Sequence, residues 1–154
     1  MPRQTFQQDS TVIEIPISRR EWEYPNISVH SDRTIADTTS RLEEILTELL
    51  NEWFIEIQNV TEVKYYLRSH EDILDLVCGV CKGVREYFTS NTQLSLEVYH
   101  DPEIEDEYLT LYVRQEDYER DILKKIKVIL LGYSDFLKGK SGWFLVTTDF
   151  EPPL

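Results

Sequence analysis

Only two cysteines, Cys78 and Cys81, occur in the chain. That is too few for a disulfide framework, so apolar burial must supply the stability. No apolar run approaches the roughly 20 residues of a membrane span. Residues 1–11 are polar and lack the apolar h-region of a secretion signal. Together these absences predict a cytoplasmic protein. No serine elbow, phosphate loop, dinucleotide fingerprint or HExxH motif is present, which lowers the prospect of an enzyme. Positive charge is also scarce: 16 Lys and Arg stand against 29 Asp and Glu, leaving a net charge of −13. Such a balance disfavours nucleic acid and anionic membrane as partners and favours a basic protein.

What is present is a chain of single-domain length, 154 residues with 41% hydrophobic content. Its clearest signal lies at 93–114. Leu94, Leu96 and Val98 alternate with Ser95, Glu97 and Tyr99, and Leu109, Leu111 and Val113 alternate with Tyr108, Thr110, Tyr112 and Arg114. Period-two alternation on both sides of a polar connection predicts a β-hairpin with one buried face. The connection, Asp101 to Glu107, carries five acidic residues in seven.

The rest of the chain must cover that face. Residues 1–33 read as a partly extended N-terminal arm, with Pro16 and Pro25 interrupting short apolar runs, and 34–154 as one domain. The arm holds four basic and five acidic residues, so the acidity belongs to the domain. Residues 37–58 are predicted as a long helix, with Leu42, Ile45, Leu46, Leu49, Leu50, Trp53 and Ile57 as its apolar stripe. Glu44, Glu48, Glu52 and Glu56 would then form one negative ridge at i+4 spacing. The stretch 61–68 suits a helix or a strand, with helix preferred and Thr61 as its cap. Ser69 and Asp72 have capping-box spacing for a further helix to Phe88. A last helix is predicted over 116–138, closed by Gly139, and a third strand over 142–150. The expected fold is α+β: helices on one face of a small three-stranded mixed sheet in the order 2-1-3, with the last strand antiparallel to the first.

From Val63 onward several phrases resemble a family of small prokaryotic α+β proteins with no assigned activity. They are Leu67-Arg68-Ser69-His70, Val84-Arg85-Glu86-Tyr87-Phe88, Leu94-Ser95-Leu96-Glu97-Val98 with Asp101-Pro102-Glu103, and Leu109-Thr110-Leu111-Tyr112-Val113-Arg114. The resemblance implies a compact bacterial protein encoded beside an interacting partner, as in toxin–antitoxin pairs. It supplies no catalytic residues and leaves residues 1–60 outside.

Three constellations invite chemistry. Cys78 and Cys81 have CxxC spacing, but helical periodicity places them mid-helix rather than at the helix N-terminus a low thiol pKa needs. His70 and His100 would complete a zinc set only by composition, because no spacing supports it. His100 with Asp101, Glu103, Glu105 and Asp106 could hold a divalent cation, although an EF-hand spacing is absent. No cofactor is expected. The leading expectation is a non-enzymatic, antitoxin-like accessory factor that engages a basic protein. Its contact residues would be Glu44, Glu48, Glu52, Glu56, Asp101, Glu103, Glu105 and Asp106, with Trp22 and Tyr24 as aromatic anchors on the arm. A homo-oligomeric structural protein and a metal-dependent hydrolase working at the hairpin tip are the alternatives.

Overall fold

A computed structural model describes residues 35–89 and 91–154. The expected arm, with Trp22 and Tyr24, lies outside the described residues. The first helix, α1, runs Ile35–Asn51 and buries Leu42, Ile45, Leu46 and Leu49 along one stripe. It ends well short of residue 58. The N–H groups of Glu52 and Trp53 both turn back to the Glu48 carbonyl, and Phe54 takes φ 52°, which no α-helix accommodates. The next three residues, Ile55–Ile57, form strand β1. Trp53 and Ile57 mimic helical spacing, but Ile55 and Ile57 also satisfy a period of two, and pairing with the hairpin decides between them.

Helix α2 spans Val60–Ser69. Its cap is Asn59, in the left-handed region at φ 49°, whose side chain accepts the Glu62 N–H, rather than the expected Thr61. A 3₁₀ turn at Glu71–Ile73 leads into α3, Leu74–Tyr87. The Ser69–Asp72 capping box does not form. The Ser69 hydroxyl donates to the Tyr65 carbonyl, and the Asp72 carboxylate is taken by Ser141.

The hairpin consists of β2, Thr92–His100, and β3, Glu107–Gln115, in antiparallel register with Leu94 opposite Val113 and Leu96 opposite Leu111. Helix α4 is shorter than expected, Ile122–Tyr133, and continues as a 3₁₀ turn over Ser134–Leu137. Its entry is organised by Gln115, whose side-chain carbonyl accepts the Glu119 N–H. Gly139 closes the far end at φ 78°, as the sequence suggests. Strand β4 is Phe144–Thr147.

The sheet has four strands in the order β1-β2-β3-β4, not three in the order 2-1-3. Strand β1 is parallel to β2, with Ile55 opposite Leu94, and β4 is parallel to β3, with Leu109 opposite Phe144. The expected position for the last strand, beside the first strand of the hairpin, is already filled by β1. The other edge, along β3, is where β4 pairs.

Register puts Ile55, Leu94, Leu96, Val98, Leu109, Leu111, Val113, Phe144 and Val146 on one face of the sheet. The buried residues of α1 to α4 join these in a single apolar cluster. The helices therefore occupy one layer and the sheet the other, the α+β arrangement that the sequence predicts.

Candidate binding surface

The four glutamates expected on one ridge separate. Glu44 is exposed on α1, and Glu52 is exposed just beyond its end. Glu56 lies on β1, opposite Ser95, exposed on the sheet face away from the helices. Glu48 is already engaged: it pairs with Lys82 of α3 and accepts the Trp53 indole N–H at 3.4 Å. The Lys82 hydrogen bond holds the Glu48 carboxylate below its ordinary range. The ridge thus fails as a continuous surface because the chain turns into β1 after Asn51.

The hairpin tip stays together. The Asp101 carboxylate accepts the N–H groups of Glu103 at 2.8 Å and Ile104 at 3.3 Å. Main-chain bonds from Asp101 to Asp106 and from Asp106 to Ile104 close the loop. This ordering projects Glu103, Glu105 and Asp106 into solvent, where they make no ion pair with any described Lys or Arg. Between them stands Ile104, 60% exposed. The loop bounds an open concavity of about 540 Å³ along residues 100–107. At its base the His100 ring bridges Glu62 at the start of α2 and Glu107 at the start of β3. The tip is thereby fastened to the helical layer. Sequence reasoning named the carboxylates but missed Ile104; an apolar residue alone within an acidic loop was the available signal.

The tip carboxylates do not converge. Among the described residues no group of three or more His, Cys, Asp or Glu side chains could hold a metal ion. Cys78 and Cys81 are buried in mid-α3, and burial pushes both thiols up, Cys81 well above the ordinary value. Neither is poised as a thiolate.

A serine, histidine and aspartate do meet at the start of α3. The His70 Nδ1 lies 3.1 Å from the Ser141 hydroxyl, which donates to Asp72 at 2.7 Å, as does the Ser141 N–H. In a hydrolytic triad the aspartate orients the histidine; here it takes the serine proton donor itself. The arrangement fastens the loop before β4 to the α2–α3 junction. Gly142 packs there so closely that a Cβ would sit 2.7 Å from the His70 Cβ.

The sheet face away from the helices is polar and aromatic. Tyr99 and Tyr108 lie directly opposite each other with ring centroids 5.0 Å apart. Arg114 stacks on Tyr112 at 4.8 Å and binds Asp149 through both carboxylate oxygens. Burial, aided by Glu97 and Asp149, pushes the Tyr112 hydroxyl up to about 12. Glu97, half-buried beside it, is raised by the same desolvation. Sequence reasoning treated the alternate positions of β2 and β3 as solvent-facing and passed over their three tyrosines.

No protein-family model, curated protein or solved structure matches the chain. No described helix is long and apolar enough to cross a membrane.

Proposed function

We propose that this protein is a non-enzymatic binding factor, acting in the cytoplasm in the manner of an antitoxin, that engages a basic protein through its hairpin tip. The observation that carries this reading is Ile104, exposed at the centre of a hydrogen-bonded loop and flanked by Glu103, Glu105 and Asp106. An apolar anchor inside a rim of like charge is the form of a steered contact: the rim accelerates encounter and selects a cationic surface, and the anchor slows release. The loop is ordered before any partner arrives, which reduces the entropy lost on binding. Glu44 and Glu52 extend the negative field from another side of the domain and act as steering charges rather than contacts.

The test is affinity capture with the full chain at low and moderate salt. The native chain is compared with a variant carrying Glu103→Gln, Glu105→Gln and Asp106→Asn, and with Ile104→Ser. A basic protein retained in stoichiometric amount, released by salt and lost with both variants, supports the reading. Retention untouched by both variants sinks it.

A further inference from the structure

Resting on that reading, we propose that the hairpin face turned away from the helical layer, from Tyr99 and Tyr108 to Glu97 and Tyr112, seats an arginine-bearing segment of the basic partner. This face is continuous with the tip, because β2 and β3 run directly out of residues 101–106. A partner drawn to the tip has this sheet surface immediately beside it.

The chemistry of the face suits a guanidinium. Tyr99, Tyr108 and Tyr112 are half-buried and stand at alternate positions away from the helical layer. Tyr112 already carries the Arg114 guanidinium against its ring at 4.8 Å. Planar cations stack on such rings, and arginine does so better than lysine. Glu97 makes no ion pair among the described residues, since the nearby Arg114 is committed to Asp149. A partly desolvated carboxylate between tyrosines is the natural partner for an incoming cation. Glu56, exposed on β1 of the same face, adds a second carboxylate.

The experiment uses the full chain and two labelled peptides of equal length and charge, one alternating arginine with serine and the other lysine with serine. Binding is followed by fluorescence anisotropy, and the ¹⁵N-labelled chain is mapped by amide shift changes. The expected result is salt-sensitive binding of both peptides, with the arginine peptide roughly three- to fivefold tighter. That preference should vanish in Tyr99→Leu and Tyr108→Leu, and the shifts should run through Glu97, Tyr99, Tyr108 and Tyr112. If both peptides bind equally and shifts are confined to 101–107, the seat is overturned while the tip reading stands. If neither peptide binds, the seat is overturned, and the capture experiment alone decides the tip reading. If the arginine peptide binds only after Arg19→Ala and Arg20→Ala, the seat belongs to the chain's own N-terminal segment, and the partner assignment fails. The shift map on the unaltered chain decides the question even if a tyrosine variant does not fold.

Discussion

Arg114 of β3 and Asp149, just beyond β4, form a two-oxygen ion pair, with Nη2 at 2.6 Å and Nε at 3.1 Å and 3.2 Å from the carboxylate. The pair ties the chain that leaves the sheet back to the sheet face away from the helices. Arg114 is nearly buried, while Asp149 keeps partial contact with solvent.

Asp149 should therefore govern part of the acid stability. Its hydrogen bonds from Arg114 hold its carboxyl below the ordinary value in the folded state. A depressed carboxyl contributes stability that is present above the unfolded value, about 3.9, and is lost as pH falls through the lower folded value. Asp149→Asn should cost about 1–2 kcal/mol at neutral pH, at the modest end for a partly solvated pair. It should also flatten the fall in stability below about pH 4. Urea titrations of both proteins across that range would show it. Parallel curves displaced by a constant amount would contradict the assignment.

Gly142 and Gly139 should respond differently to alanine. At Gly142 the new Cβ would meet His70 Cβ at 2.7 Å and Ile73 Cδ1 at 2.9 Å, so backbone or core must shift. A cost of about 1–3 kcal/mol follows from overpacking. At Gly139 nothing lies within 4 Å, and only the φ of 78° is penalised, by about 1–2 kcal/mol. The distinction is structural: Gly142→Ala should disturb the His70 and Ser141 resonances, and Gly139→Ala should leave them in place.

Arg85 should hold β1 against β2. Its guanidinium donates to the carbonyls of Trp53 at 3.0 Å, Phe54 at 3.1 Å and Thr92 at 2.8 Å. Methionine would keep much of the stem packing but leave three acceptors without this donor. A loss of about 2–4 kcal/mol is expected, less than the sum of separate bonds because water reaches part of the site. Hydrogen exchange should accelerate first at Ile55–Ile57. Uniform acceleration across the sheet would mean that Arg85 supports the whole domain instead.

The hairpin was legible because alternation of apolar and polar residues has one structural meaning when both strands show it and an acidic turn separates them. The helical layer was legible from its apolar stripes. β1 was not, since Trp53 and Ile57 satisfy the helical period while Ile55 and Ile57 satisfy the strand period. The choice falls to a partner strand nearly forty residues away. Of the site, the tip carboxylates were named at once, because charge shows in the sequence. Ile104 and the three tyrosines were not: the exposure of Ile104 follows from how the loop closes on itself, and the tyrosines were legible in the alternation but carried no sign of a role.

The sequence by itself determined the α+β class, the hairpin and its register face, the acidic tip, and the place of both cysteines within a helix. All of these follow from local periodicity and composition. Tertiary structure alone decided that α1 stops at Asn51, that the sheet has four strands, and that β4 lies along β3. It also decided that Glu48 is neutralised by Lys82 while Glu97 keeps no ion partner among the described residues. The physical reason is the same in each case. A strand edge or a charged side chain is completed by whichever distant segment arrives there, and local sequence carries no record of that segment.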